Sequence, residues 1–229
     1  MSSKQAILKR VRNSAPPATE LPSLMGDWLR FDNPCAQFME AVEQVGGQAL
    51  RVKDRKAWNA CLDSLEVYRK AKKIATQLAG VKRANVCLDE VDRPQALEDV
   101  DVTIAAGELA VAENGAVWVS GAELKHRAVL FLCQHLVLVV PTGAVVHNLH
   151  EAYDRLTGLV EQDGLAGQHE SGQQESGQYH PGRATPLASS SYGLFISGPS
   201  KTADIEQSLV IGAQGPRSLT VLLVDAWNP

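Results

Sequence analysis

Three polar, glycine-containing segments of this chain have residue types that could bind and convert a small ligand. The first, 112–115, reads Ala-Glu-Asn-Gly and sets the Glu113 carboxylate and the Asn114 amide directly before an apolar run. A carboxylate held in a turn can act as a general base or, in acyl transfer, as a nucleophile. The same letters are typical of a plain Asn-Gly hairpin turn with a solvated glutamate, and spacing alone favours this alternative.

The second segment, 197–206, follows an apolar run and begins with Ser-Gly-Pro-Ser. Gly-Pro predicts a sharp reversal, and a Ser or Thr after it would cap a helix that begins there, with free N–H groups suited to an anion. Asp204 and Glu206 would oppose the positive end of that helix. One carboxylate or one phosphate therefore fits this turn better than a polyphosphate, and Lys201 would restore part of the charge balance.

The third segment, 212–217, reads Gly-Ala-Gln-Gly-Pro-Arg and precedes the last apolar run. Its two glycines permit close approach of the backbone to a ligand, although a tight turn explains them equally well.

These segments can act together only if the fold brings them to one place. Short apolar runs between turn residues predict strands at 49–52, 84–88, 101–105, 116–119, 135–140, 192–196 and 219–224. The run at 136–140 is apolar without alternation, which is typical of a strand covered on both faces. We expect a three-layer α/β fold, with a mostly parallel sheet and helices on both faces, in which ligands bind beyond the carboxyl ends of the strands.

Helical spacing predicts a helix from Asn33 that stops at Gly46–Gly47, a long helix through 62–78 that ends at Gly80, and a last helix over 149–160. The chain divides into an N-terminal helix and Pro-rich arm, 1–30, and a single domain, 31–229. Within that domain, 162–191 is rich in Gly, Gln and Ser, and its composition indicates a flexible insertion.

Composition limits the function further. The 229 residues carry a net charge of −4, which argues against a dedicated nucleic-acid-binding protein. The longest apolar run, 128–140, is too short to span a bilayer. The basic start lacks the apolar core and cleavage site of a signal peptide, so we expect a cytoplasmic protein.

No metal or cluster site is predicted. The four cysteines are spread along the chain with no C-x-x-C pair, so we expect no iron–sulfur cluster on this chain. His147, His150 and Glu151 have the helical spacing of metal ligands, but no outside ligand is indicated, and structural or surface roles are favoured. His135 opens a buried strand and is interpreted as a core histidine.

The second and third segments and the last strand together resemble the LUD domain family, in particular its lactate utilization C-type members. The resemblance rests on Ile-Ser-Gly-Pro-Ser-Lys-Thr-Ala-Asp-Ile-Glu at 196–206, Leu-Val-Ile-Gly-Ala-Gln-Gly-Pro-Arg at 209–217 and Leu-Leu-Val-Asp at 222–225. It implies the fold shared by ribose-5-phosphate isomerase, glucosamine-6-phosphate deaminase and CoA transferases. It also implies a role in oxidising L-lactate to pyruvate with partner subunits, one or both of which carry iron–sulfur clusters.

Two positions depart from the family pattern. Asn114 stands where the family usually has Thr, and Gln214 stands where it usually has His. An amide does not titrate near neutral pH, so Gln214 cannot transfer a proton as an imidazole would. Glu-Asn-Gly at 113–115 also resembles the motif around the catalytic glutamate of CoA transferases. An acyl-CoA transferase or hydrolase, and a non-catalytic assembly subunit, therefore remain as alternatives, and enzyme activity of this chain stays open.

The leading hypothesis joins the three segments into one pocket for a small carboxylate. Glu113 would orient or deprotonate the substrate, and backbone N–H groups near Ser200 and Thr202 would bind its carboxylate. The proposed catalytic residues are Glu113 and Asp204, and the proposed substrate-binding residues are Asn114, Gly115, Ser197, Gly198, Pro199, Ser200, Lys201, Thr202, Glu206, Gln214, Gly215 and Pro216.

Overall fold

Six parallel strands form the central sheet of the computed structural model, which describes residues 3–14, 26–121, 124–157, 192–203 and 208–226. The helices are α1 Ser3–Asn13, α2 Pro34–Gln44, α3 Arg55–Ser64, α4 Glu66–Lys70, α5 Val129–Leu132 and α6 Leu149–Thr157. The strands are β1 Gln48–Asp54, β2 Ile74–Thr76, β3 Val86–Cys87, β4 Val102–Ala106, β5 Leu109–Val111, β6 Ala116–Ser120, β7 His135–Pro141, β8 Val145–Val146, β9 Gly193–Ile196, β10 Lys201–Thr202, β11 Val210–Ile211 and β12 Ser218–Ala226. Short 3-10 turns occupy Leu88–Glu90, Pro94–Leu97 and Thr142–Ala144.

The strand order of the central sheet is β1-β12-β7-β4-β2-β3, and every neighbouring pair is parallel. β7 lies between β12 and β4, with His135 in register with both Ser218 and Val102. The three central strands therefore begin side by side at one edge of the sheet, which we call the amino edge.

Both faces of the sheet are covered. On β7, Leu136, Leu138 and Val140 enter one hydrophobic cluster, while Val137 and Val139 enter a second cluster on the opposite face. Helices α3 and α4 supply the second cluster, and α2, α5, α6 and a smaller sheet supply the first. The predicted three-layer α/β fold with a parallel sheet is confirmed.

The smaller sheet has the order β8-β5-β6-β9, in which β5 and β6 form an antiparallel hairpin. A separate ribbon pairs β10 with β11. β5, β8, β10 and β11 were not predicted from the sequence, because two or three residues are too few for alternation to be recognised.

The helix predicted from Asn33 is confirmed as α2, and its ends follow known capping rules. At its start the Asn33 Oδ1 atom accepts a hydrogen bond from Ala36 N, with Pro34 in the first turn. At its end Gly46 adopts a φ of +81°, and the amides of Gly46 and Gly47 donate to Glu43 O and Val42 O. These are the two hydrogen bonds of a Schellman motif.

The long helix predicted through 62–78 is wrong. α3 ends at Ser64, whose hydroxyl donates to Cys61 O, and Leu65 is extended with φ −72° and ψ 123°. The chain then forms only the short α4 before β2 begins at Ile74. Apolar residues recur every three to four positions here because α3, α4 and β2 all bury residues in the same hydrophobic cluster. The pattern therefore reflected a shared core and not one continuous helix.

Parts of the predicted organisation lie outside the described residues. These are the Pro-rich arm over 15–25, the insertion over 162–191, and the last residues of the helix predicted over 149–160.

Candidate functional site

Glu113 and Asn114 lie at the tip of the β5–β6 hairpin. Gly115 N donates to Val111 O and Ala116 N donates to Asn114 Oδ1, which closes the turn. Gly115 has a φ of +65°, and a Cβ there would lie 2.8 Å from Val42 N. Only glycine readily adopts this positive φ and also leaves room for the neighbouring backbone. The hairpin tip is therefore packed directly on the backbone of α2.

The Glu113 side chain binds the beginning of α6. Its Oε2 atom accepts a hydrogen bond of 3.0 Å from Leu149 N, and its own amide donates to His147 O. Glu113 is otherwise exposed to solvent. A helix N-terminus carries free N–H groups and a partial positive charge, so it stabilises this carboxylate.

Two side-chain hydrogen bonds, similar to a capping box, complete the start of α6. The Asn148 Oδ1 atom accepts from Glu151 N, and Glu151 Oε2 accepts from His147 N. The pattern Asn148-x-x-Glu151 could have been recognised in the sequence as a helix start.

The N-terminal arm packs on the same turn of α6. Asn148 Nδ2 donates to Leu29 O, Phe31 N donates to His147 Nδ1, and the ring of Trp28 stacks on His150 at 3.6 Å. These contacts were not predicted from the sequence, because residues more than a hundred positions apart give no local pattern. His147 and His150 therefore have structural partners, in agreement with the role favoured from sequence.

The second turn is joined to the first by a hydrogen bond of 2.9 Å from Ser197 Oγ to Asn114 O. Gly198, which follows, has a φ of +69°, and a Cβ there would lie 2.6 Å from Val45 O. The second turn therefore packs on the end of α2, close to the place where Gly115 packs on it.

The third turn is joined to the second. Ser200 N donates to Pro216 O at 2.9 Å, and Gly212 N donates to Ser200 O at 2.8 Å. A Cβ on Gly215 would lie 3.0 Å from the Cβ of Ser200. The segments around 113, 200 and 215 are thus linked in series, with Gln214 and Lys201 exposed at their surface.

Lys201 is committed to a helix end. Its Nζ atom donates a hydrogen bond of 2.6 Å to Val45 O, a carbonyl at the C-terminus of α2. A cation is favourable there because the C-terminal end of a helix carries partial negative charge.

Two expectations about this region are wrong. Residues 201–202 form β10, not the first turn of a helix, and Ser200 N–H is used by Pro216 O, so it is not free for an anion. The second and third turns also lie at the amino edge of the central sheet and not beyond its carboxyl ends, because the third turn leads into β12 and the second turn packs on Val45, three residues before β1. The second turn is held there by the end of α2, and the third turn is held by its backbone hydrogen bonds to Ser200. Asp204 and Glu206 lie outside the described residues.

One titratable side chain borders the third turn. His135 Nδ1 lies 2.8 Å from Ser218 Oγ, and Gln134 O accepts from Arg217 N. Burial lowers the pKa of His135, and the Arg217 charge lowers it further. The neutral form of the imidazole is therefore favoured.

The described residues offer no grouped metal ligands. Within them, no three His, Cys, Asp or Glu side chains come together as a metal ion would require. Burial raises the pKa of the Cys133 thiol to about 11, which keeps it protonated, as is typical of a structural cysteine. No helix in the described ranges is long and apolar enough to cross a bilayer.

An open cavity of about 370 Å³ lies between the arm and the first turns of α2. Its lining is polar and consists of Arg30, Phe31, Asp32, Asn33, Ala36, Gln37 and Glu40. None of the sequence-predicted site residues lines it.

The chain matches a known protein family over more than half of its length. The model of the LUD domain matches residues 66–224. "Lactate utilization protein C 1" of Bacillus mycoides is 30% identical over 125 residues, which is 55% of this chain and 44% of that protein. "Lactate utilization protein C" of Geobacillus kaustophilus is 29% identical over 129 residues, 56% of this chain and 44% of that protein. The match thus spans less than half the length of these relatives.

A solved structure shares the fold. The crystal structure of a DUF162 family protein from Deinococcus radiodurans superposes with a TM-score of 0.54 at 16% identity, covering 83% of this chain and 96% of that one.

Replacing Gly198 tests the packing of the second turn on α2. Gly198→Ala adds a Cβ 2.6 Å from Val45 O at a positive φ, so we expect a loss of about 2–4 kcal/mol in the free energy of unfolding, measured by urea denaturation. Gly143→Ala is the matched control, because a Cβ there meets nothing within 4 Å and should change stability by less than about 0.5 kcal/mol. Equal stability of the two variants would contradict the packing described.

Proposed function

This chain belongs to the LUD domain family, and on that premise we propose that it is a subunit, without an iron–sulfur cluster of its own, of a cytoplasmic system that oxidises L-lactate to pyruvate. The proposal draws on the curated relatives named lactate utilization protein C. Those relatives are matched over less than half of their length, so the activity is carried to this chain as a hypothesis.

The observation that carries the proposed site is the hydrogen-bonded series of three turns. Ser197 Oγ donates to Asn114 O, and Ser200 N donates to Pro216 O, so residues from three distant segments share one surface. A small 2-hydroxy acid needs such a site, because its carboxylate, its hydroxyl and its C2 hydrogen must be bound at the same time.

The chemistry assigned to the chain's own residues is proton handling and substrate orientation. Oxidation of L-lactate removes the hydroxyl proton and a hydride equivalent from C2. We assign Glu113 to orient or accept the hydroxyl proton, with Asp204 as the second catalytic carboxylate. Iron–sulfur clusters, which the family resemblance assigns to partner subunits, would accept the two electrons of the hydride equivalent, and its proton would be released to solvent.

Substrate binding is assigned to the second and third turns. Ser200 N–H already donates to Pro216 O. We therefore propose that the hydroxyl groups of Ser200 and Thr202, and not that amide, bind the substrate carboxylate. The proposed surroundings of the substrate are Asn114, Gly115, Ser197, Gly198, Pro199, Lys201, Glu206, Gln214, Gly215 and Pro216.

A second candidate function is an acyl-CoA transferase or hydrolase. It is favoured by the exposure of Glu113, whose Oε2 atom accepts from Leu149 N while the other oxygen accepts no hydrogen bond from the described residues. A carboxylate oxygen facing solvent can attack the carbonyl of an acyl-CoA, forming an anhydride and releasing the CoA thiolate. Attack of that thiolate on the anhydride would then give a glutamyl-CoA thioester and the free acid.

Growth on L-lactate tests the first proposal. In a strain that carries this gene and uses L-lactate, we expect its deletion to abolish growth on L-lactate but not on pyruvate. Wild type and Glu43→Gln should restore growth. Glu113→Gln should fail, because the amide keeps an acceptor for Leu149 N but cannot take a proton. Normal growth after deletion would contradict the proposal. Full rescue by Glu113→Gln, with loss of complex formation on removal of residues 1–30, would instead indicate an assembly subunit.

Chemical trapping tests the second candidate. Incubation of the purified protein with an acyl-CoA followed by borohydride should reduce a thioester at Glu113 and leave a mass change on that residue alone, detected by peptide mass spectrometry. Glu113→Gln should remain unmodified under the same treatment. An unmodified wild-type protein would remove the transferase hypothesis and leave the lactate hypothesis unaffected.

A further inference from the structure

His147 holds the N-terminal arm through a hydrogen bond that only an unprotonated nitrogen can accept. Phe31 N donates to its Nδ1 atom at 3.0 Å. A backbone amide is always a donor, so Nδ1 carries a free lone pair and the proton of the neutral ring lies on Nε2. An imidazolium ion has a proton on each nitrogen and accepts no hydrogen bond. Protonation of His147 therefore breaks this contact.

Two other histidines of the described ranges make contacts that tolerate protonation. His126 Nε2 lies 2.6 Å from Val91 O, and a carbonyl only accepts, so this nitrogen donates whether the ring is neutral or charged. The ring of His150 stacks on Trp28 with centroids 3.6 Å apart, and a positive charge over an indole face is attracted to it. Of these three contacts, the one at His147 opposes the uptake of a proton.

The turn that holds the arm also holds Glu113. On the side of the arm, Leu29 O accepts from Asn148 Nδ2, in addition to the contact at His147. On the other side, Glu113 N donates to His147 O, and Glu113 Oε2 accepts from Leu149 N. Three consecutive residues thus connect the arm to the carboxylate, and loss of the arm's contacts leaves that turn free to move.

We propose that His147 is a positioning residue for Glu113 and acts as a pH-dependent latch. With Nδ1 unprotonated, it holds the arm and thereby the turn that fixes the Glu113 carboxylate. With Nδ1 protonated, the arm's hydrogen bonds open and the turn loosens. The Phe31 side chain packs on the main hydrophobic cluster, so the opening is local and the arm stays attached. The consequence for catalysis rests on the role proposed for Glu113, whereas the latch itself does not.

The elements around His147 carry other charged and titratable groups. These elements are the arm over 26–32, the hairpin tip, α2 and α6, and their seven carboxylates and two arginines do not oppose a cation by net charge. Histidine is the side chain that ordinarily changes charge between pH 5 and 8, so His150 is the group that a test must separate from His147. The carboxylates are Asp27, Asp32, Glu40, Glu43, Glu113, Glu151 and Asp154, the arginines are Arg30 and Arg155, and the other titratable groups are Cys35, His150 and Tyr153.

The sign of the pH dependence follows from the number of bound protons. The docked arm requires His147 without a second proton, whereas the open arm permits one, so the open form binds more protons. Docking is therefore strongest when the ring is neutral and weakens as the pH falls, by at most about tenfold for each pH unit.

Nitrogen-15 NMR of the full chain tests the latch at an upper pH of about 7.5 and a lower pH of about 5.5, which span the usual histidine range. We expect a scalar coupling between Phe31 N and His147 Nδ1 across the hydrogen bond at the upper pH, and its loss at the lower pH. The Leu149 amide, which donates to Glu113, should shift over the same range because the turn loosens with the arm. A coupling that persists at the lower pH, or a Leu149 amide that does not follow it, would overturn the proposal.

Substitutions separate the latch from a merely structural contact. His147→Asn places Oδ1 where Nδ1 stands and does not titrate, so the Phe31 amide should keep its protection from hydrogen exchange, corrected for the intrinsic rate, at both pH values. His147→Ala removes the acceptor and should lose about tenfold in protection at the upper pH. His150→Phe keeps a ring on Trp28 and should retain the wild-type response. A response that survives in His147→Asn, or disappears in His150→Phe, would assign the pH dependence to another group and overturn the proposal.

Lactate oxidation by the assembled system tests the effect on Glu113. His147→Ala should lower kcat at the upper pH by roughly tenfold with little change in KM, because the base is misplaced while the substrate still binds. His147→Asn should rescue kcat and retain a larger share of it at the lower pH than wild type does. Equal kcat for His147→Ala and wild type would overturn the positioning role. Absence of lactate oxidation by wild type would instead contradict the proposed function, and the NMR titration would still decide the latch.

Discussion

The last turn of α2 is the support on which the candidate site is assembled. Gly115 of the hairpin tip packs on the backbone of Ala41 and Val42, and Gly198 of the second turn packs on Val45 O. That carbonyl also accepts from Lys201. Two turns separated by more than eighty residues are thus fixed against one helix end, and the third is fixed to them through Ser200. The Schellman motif at Gly46, which sets the shape of that helix end, is therefore a condition for the site.

The charged side chains of the site are bound to helix ends of opposite sign. Lys201 donates to the C-terminal end of α2, and Glu113 accepts from the N-terminal end of α6. Each contact is favourable for the helix dipole. The same contacts hold the groups that the proposed chemistry requires, so a substrate that binds there must share or displace them. The arm over Trp28–Phe31 is packed on the α6 turn that holds Glu113, which links the N-terminal region to the site.

The parts predictable from sequence were those with a local physical signal. The buried run at 136–140 predicted β7, and Asn33 with Gly46–Gly47 predicted both ends of α2. Asn114-Gly115 predicted a hairpin turn, and the structure has one. The prediction of a helix through 62–78 was wrong because α3, α4 and β2 bury apolar residues against one core at spacings that match a helical period. The helix expected at Ser200 failed because pairing with Val210–Ile211, a long-range contact, decides that segment. The packing of the arm on α6 also joins residues distant in the sequence, so no local sequence pattern predicts it.

The proximity of the second and third turns can be measured directly with a cysteine pair. In Ser200→Cys/Gly215→Cys, the two Cβ atoms start 3.0 Å apart, and a shift of a few tenths of an ångström reaches disulfide geometry. We predict rapid formation of a 200–215 disulfide under mild oxidation, identified by peptide mass spectrometry. Ser200→Cys/Gly143→Cys serves as control, because Gly143 follows the carboxyl end of β7 and should not react. Failure of the 200–215 pair to form, or equal reaction of the control, would contradict the convergence of the turns into one site.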